Sequence, residues 1–188
     1  MPLPKERIYT IDDIYALPDG KRAELVKGQI FFMAPPSPLH QEILSFLHAK
    51  IYNYIEQKKG ICKVYPAPFA VFLDKKSNTY VEPDISVICD KDKLDEKGCH
   101  GAPDWVIEIV SPSSKKMDYY TKLTIYMEAG VRDYWIIDPA KRALVVYHLE
   151  QDEMPVIYRF SDKVKANIYD DLEIDFSKMN IDESIKRP

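Results

Sequence analysis

A glutamate inside an apolar strand is the first residue of this chain that asks for a chemical reason. In Trp105-Val106-Ile107-Glu108-Ile109-Val110 the side chains alternate, so Val106, Glu108 and Val110 share one face and Trp105, Ile107 and Ile109 the other. Both faces are apolar, which predicts a central strand with Glu108 as its single exception. An unpaired carboxylate there costs several kcal/mol or gives up its charge. Two readings stand: a Glu at the open end of the strand, solvated or paired with an Arg, or a carboxylate kept for a counter-charge.

Two Pro-Asp pairs offer a neighbour for it. Glu82-Pro83-Asp84 opens the segment Ile85-Ser86-Val87-Ile88, and proline is tolerated at a strand's first position, so Asp84 belongs at the mouth of a sheet. Read alone it is equally a turn residue. Pro103-Asp104 competes, but four residues at ~3.3 Å each separate Asp104 from Glu108 by about 13 Å along one strand. One ion at ~2.0–2.5 Å from each ligand cannot bridge that distance. Asp84, on another strand, can be brought beside Glu108 by pairing. Further on, Asp118 and Lys122 stand four residues apart, with Tyr119 and Tyr126 flanking the lysine. The plain reading of that pair is a surface salt bridge.

The elements that must position these groups follow from periodicity and turn residues. Thr10 caps a short helix that stops at Leu17-Pro18-Asp19-Gly20. Ala23 to Val26 and Gln29 to Met33 flank Lys27-Gly28 as a hairpin. Apolar residues at Ile43, Leu44, Leu47, Ile51, Tyr54 and Ile55 predict a long amphipathic helix from Leu39 to about Lys58. Strands are expected at Cys62 to Tyr65, Phe69 to Leu73, Asp84 to Cys89 and Trp105 to Val110, with a polar loop from Asp90 to Gly101. Ser113 or Ser114 caps a helix from about Lys115 to Ala129, closed by Gly130. Strands at Tyr134 to Ile137, Leu144 to His148 and Val156 to Phe160 precede an acidic stretch, Asp170 to Asp175, expected at a solvated edge. The order predicts an α/β (α+β) fold, a mixed β-sheet flanked by helices.

Length and composition bound the rest. At 188 residues the expectation is a single domain over 1–188, its core about 8–175, with a short C-terminal tail. No apolar run reaches the ~20 residues of a membrane span, and the first residues lack the apolar segment of a secretory signal. Cys62, Cys89 and Cys99 are an odd set without CxxC spacing, read as reduced thiols in a cytoplasmic protein. Cys99-His100 has no second soft pair to complete a zinc site. The net charge of −4 argues mildly against a broad nucleic-acid surface. It does not exclude a nuclease, because clustered metal-binding carboxylates lower the total while a cation restores positive charge locally.

Taken together the chain resembles the PD-(D/E)XK nuclease superfamily, the restriction-endonuclease-like fold, and more closely the Uma-two type of endonuclease domain. The resemblance runs from about Ile8 to Asp175. It is carried by Ala23-Glu24-Leu25-Val26-Lys27-Gly28, Met33-Ala34-Pro35 with His40, Glu82-Pro83-Asp84 and Gly101-Ala102-Pro103-Asp104. Glu108-Ile109-Val110-Ser111-Pro112-Ser113-Ser114 with Asp118, Lys122 and Tyr126, and Gly130 to Pro139, complete the series. The resemblance implies catalytic roles for Asp84, Glu108, Lys122 and Glu24, and a Mg2+ (or Mn2+) ion on Asp84, Glu108 and the Ile109 carbonyl. Superfamily members normally carry a lysine two residues after the Glu. Val110 stands there, and the resemblance moves the lysine to Lys122 on the next helix. Glu24 matches an additional acidic residue near the N-terminus. His40 matches a family position and equally reads as a helix-start histidine packing locally.

The implied activity is metal-dependent endonucleolytic hydrolysis of DNA: a hard cation polarises a phosphate oxygen and activates water, and Lys122 orients that water or stabilises the developing charge. The rivals are a non-catalytic nucleic-acid-binding or assembly domain on a nuclease-like scaffold, and a metal-dependent hydrolase of a small phosphoester. Lys and Arg around the carboxylates would favour DNA, and Lys115, Lys116 and Arg132 are the candidates. Exposed strand edges leave room for a homodimer.

Overall fold

The computed structural model describes residues 7–74, 78–151 and 153–181; the expected tail beyond Ile181 lies outside them. A short helix α1 (Ile11–Tyr15) precedes the hairpin β1 (Ala23–Val26) and β2 (Gln29–Phe32) and the long helix α2 (Pro38–Gln57). Strands β3 (Lys63–Pro66), β4 (Val71–Phe72), β5 (Tyr80–Val81), β6 (Ile85–Ile88), β7 (Leu94–Asp95), β8 (Gly98–His100) and β9 (Trp105–Ile109) follow. A π-helical turn (Met117–Lys122) runs into α3 (Leu123–Ala129). The chain closes with β10 (Asp133–Asp138), β11 (Ala143–His148), β12 (Val156–Arg159), β13 (Lys163–Lys165) and β14 (Glu173–Asp175).

The fold is mixed α/β, with two mixed sheets and a long helix. One sheet runs β12-β11-β10-β9-β6-β3, the other β2-β1-β5-β4-β8-β7, and β13 pairs with β14 alone. Strand β9 lies parallel to β10 and antiparallel to β6. Its alternation sorts the core as the sequence predicts. Trp105, Ile107 and Ile109 pack with Trp135 and Ile137 against Ile43, Leu47 and Ile51 of α2. Val106 and Val110 face the other way, with Tyr134 and Ile136, toward Ile125 and Tyr126 of α3 and Val26, Val71 and Val81 of the second sheet. Glu108 therefore opens onto the α3 side. Lys27 and Gly28 both adopt positive φ (49° and 80°), the mirror-image turn a two-residue hairpin requires. Gly130, at φ 90°, ends α3 as expected.

The structure departs from the sequence reading in four places. Cys62 and Cys89 form a disulfide rather than reduced thiols; only Cys99 is free, and it is buried. The reason is the β3–β6 register: Lys63 pairs with Ile88, so the next residues outward, Cys62 and Cys89, stand opposite each other. This removes the argument for a cytoplasmic location that rested on free thiols. The segment expected as a polar loop, Asp90 to Gly101, holds the small β7–β8 hairpin, whose β8 runs parallel to β4. The stretch Asp170 to Asp175 is a solvated edge on one face only: Asp170, Asp171 and Glu173 are exposed, while Leu172 and Ile174 bury in the main core. Finally, the helix expected from Lys115 is π-helical from Met117 to Lys122 before it regains α pitch. Among the described residues no helix is long and apolar enough to cross a membrane.

Candidate active site

The β6–β9 ladder pairs Ile85 with Ile107. Continued outward, the same register sets Asp84 across from Glu108 and Pro83 across from Ile109, with the two carboxylates on one face of the sheet. Where the ladder would go on, the Ile109 amide instead donates to Asp84 Oδ2 at 2.7 Å. The Ile109 carbonyl leaves the strand on the same side as its amide. Pro83, with no N–H, has nothing to donate to that carbonyl. The proline of the Pro-Asp pair thus ends the ladder where its aspartate begins to serve another purpose. His40, in the first turn of α2, reaches the same Asp84 Oδ2 with Nε2 at 3.2 Å. Its Nδ1 is buried with no hydrogen-bond partner among the described residues.

Glu108 is almost fully buried and meets α3. Its Oε1 accepts from Lys122 Nζ at 2.9 Å and from Tyr126 Oη at 2.6 Å. The same ammonium lies 2.9 Å from Glu24 Oε1, which also accepts the Glu82 amide at 3.0 Å, and 3.9 Å from Asp118 Oδ1. Asp118 is steadied by Ser114 Oγ at 2.6 Å, and its carbonyl accepts from Tyr134 Oη at 2.9 Å. The Asp118–Lys122 pair is therefore no surface salt bridge. Both side chains are buried, at 2% and 5% exposure, and the π turn carries them inward together.

Three carboxylates around one ammonium set the local charge. Burial pushes the Glu108 carboxyl well above the usual range, with the charges of Asp118, Asp84 and Glu24 adding to the shift and Lys122 opposing it. Burial likewise lifts Asp118 to about 6 against the pull of Lys122 and the Ser114 hydroxyl. Burial disfavours the Lys122 charge, but Glu108, Glu24 and Asp118 more than reverse it, and the amine stays protonated well above its ordinary range. Tyr126, buried beside Glu108, is held far from ionising.

Glu24, Asp84, Glu108, Asp118 and Lys122 line a cleft of about 1040 Å³. One wall is apolar, Phe31 to Pro36 with Pro68, Pro112 and Pro139, and the floor holds Glu24, Glu82, Asp84, Glu108 and Asp118. Its two full cations, Arg22 and Lys122, are each already paired, Arg22 with Glu82. Asp84, Glu108, Ile109, Lys122 and Glu24 are brought together here. Asp104 lies apart, at the other end of β9, where its carboxylate accepts the Cys89 amide at 2.7 Å. Lys115, Lys116 and Arg132 do not line the cleft, and Arg132 is engaged with Glu150 and Asp104. Sequence reasoning missed the contacts of Tyr126, Ser114 and His40, although Tyr126 stood beside Lys122 in the helical stripe. Among the described residues no group of three or more His, Cys, Asp or Glu side chains is arranged to hold a metal ion.

Comparison with known proteins bears on the same stretch of chain. The family model Uma2, described as "Putative restriction endonuclease", matches residues 11–177. The uncharacterized protein slr1290 of Synechocystis is 26% identical over 148 residues, 77% of this chain and 76% of its own length. In structure the chain is similar to a crystal structure from Anabaena variabilis, described as a "putative nuclease belonging to DUF820". That likeness has a TM-score of 0.74 at 21% identity and covers 90% of this chain and 96% of the other. At that identity it speaks for the fold.

Proposed function

The chain belongs to the Uma2 family, and from that premise we propose that it is a metal-dependent endonuclease hydrolysing phosphodiester bonds in DNA, acting as one nuclease-like unit. The observation that carries this reading is the juxtaposition of Asp84 and Glu108 on neighbouring central strands, with the protonated Lys122 on Glu108. The donor set fits a hard cation. Asp84, Glu108 and the Ile109 carbonyl offer only oxygen, which suits Mg2+ or Mn2+. A bound ion supplies Lewis-acid polarisation of a phosphate oxygen and a more acidic water.

The remaining work belongs to the chain's own residues. Lys122 is held protonated, so it acts as a charge and hydrogen-bond donor rather than as a general base: it orients the attacking water and stabilises negative charge on the phosphate. Glu24, 2.9 Å from the same ammonium, keeps Lys122 within reach of Glu108. Val110, where the superfamily lysine would stand, packs beside α3 and also lines the cleft.

The acidic floor favours one alternative, a non-catalytic assembly or nucleic-acid-binding domain on the same scaffold, since Arg22 and Lys122 are both paired. Calorimetric titration with Mg2+ or Mn2+ separates the two. Binding by the wild type that is lost in the Asp84→Asn, Glu108→Gln double variant, together with metal-dependent DNA cleavage, supports the nuclease. No binding, even with DNA present, would leave the scaffold reading. A homodimer is part of the proposal, through the outer edge of β12, where Val156 and Ile157 are exposed.

A further inference from the structure

We propose that Tyr126 is a positioning residue for Glu108: it holds the carboxylate by Oε1, turns Oε2 to the cleft, and keeps that orientation when Lys122 moves toward the reaction. The proposal rests on the reading of Glu108 as an ion ligand and adds a residue to it.

Glu108 is tethered twice through one oxygen, by Lys122 Nζ at 2.9 Å and Tyr126 Oη at 2.6 Å. Its other oxygen has no hydrogen-bond partner among the described residues, and the residue lines the cleft. The two tethers differ in kind. Lys122 carries its charge on a flexible four-carbon stem, donates to Glu108 and lies in ion-pair range of Glu24 and Asp118. A lysine that also engages a water or a phosphate shares its hold on Glu108 with that group.

Tyr126 has no such freedom. Its ring is fully buried and lies edge-on to Tyr134 with centroids 5.0 Å apart. The Tyr134 hydroxyl is in turn tied to the Asp118 carbonyl in the π turn. The Tyr126 hydroxyl is therefore a donor fixed in place by packing on a rigid helix. A carboxylate with one shared and one permanent donor keeps its free oxygen aimed while the shared donor works. The two tethers lie four residues apart on one helix face, so a single element sets both.

The test is calorimetric Mn2+ binding at pH 7.5, with urea unfolding in parallel, on the wild type, Tyr126→Phe, Tyr134→Phe, Lys122→Met and Glu108→Gln. Loss of a hydrogen bond that orients a ligand lowers metal affinity about tenfold or more. Tyr126→Phe is expected to show that loss. Tyr134→Phe, which removes a buried hydroxyl without touching Glu108, is expected to lose stability while binding within about twofold of wild type. Lys122→Met, where Tyr126 is the remaining tether, is expected to retain the Mn2+ binding that Glu108→Gln loses. Wild-type affinity in Tyr126→Phe while Glu108→Gln loses binding would overturn the proposal. Equal losses in the two Phe variants would do so too, as would a loss in Lys122→Met matching Glu108→Gln. Wild-type affinity in Glu108→Gln would overturn the ligand reading and this proposal with it.

Discussion

Strands β9 and β10 bury acids at both ends, and the two ends are built differently. At the start of the strands Asp104 accepts the Cys89 amide, and Asp133, fully buried, accepts the Asn167 amide at 2.9 Å and pairs with His148 Nδ1 at 3.1 Å. Arg132, on the surface, braces Asp104 and Glu150. Backbone donors cannot leave, and each carboxylate there joins segments that would otherwise drift apart. At the far end Glu108 and Asp118 meet side chains, an ammonium and hydroxyls, and both residues line an open cleft. The acids at the start of the strands are held mainly by backbone amides, whereas Glu108 and Asp118 are held by side chains beside a cavity, one of them an ammonium on a flexible stem. Burial alone does not separate the two.

The largest expected effect tests this division through activity. Glu108→Gln should lower metal-dependent DNA cleavage by at least about a hundredfold, while Asp104→Asn stays within about threefold; equal losses would erase the distinction. Stability should show the reverse. Asp133→Ala strands an amide and a histidine and should cost about 3 kcal/mol in urea unfolding. Glu108→Gln should cost less than about 1 kcal/mol, because Lys122 keeps Glu24 and Asp118.

A smaller effect lies in the pH dependence. Asp118 titrates near 6 in the folded chain and near its ordinary value, about 4, when unfolded. Between those values the folded state binds more protons, so this group's contribution to stability falls as pH rises through the window. Glu108, raised by the same burial, carries the fall to higher pH. The difference between wild type and Asp118→Asn, followed by urea midpoints from pH 4 to 8, should therefore shift toward the variant with rising pH; a shift the other way would contradict the charge assignment. The smallest effect expected is that of Lys115→Ala with Lys116→Ala, both outside the cleft, which should leave cleavage within about twofold.

Much of the site was legible because its residues break a pattern. Glu108 interrupts an apolar strand and Asp84 follows a proline that ends one, so chemistry and spacing pointed to both. Spacing also set Asp104 aside, and its bond to the Cys89 amide gives it a structural task. The hydroxyl of Tyr126 left no such trace, because an aromatic at helical spacing reads as core whether or not its oxygen has a task. The Cys62–Cys89 bridge was hidden by a separation of 27 residues, which only the strand register closes. Strands of two or three residues, such as β7 and β8, are too short for alternation to show.

The π turn from Met117 to Lys122 acts as a phase offset between two sets of teeth. Ser114 stands before it and Tyr126 after it, with Asp118 and Lys122 inside it. Were the same residues wound at regular α pitch, one set would rotate against the other by about 100°. Asp118 and Glu108 could then no longer address the same ammonium. The pitch of this segment is thus as much a part of the site as its side chains.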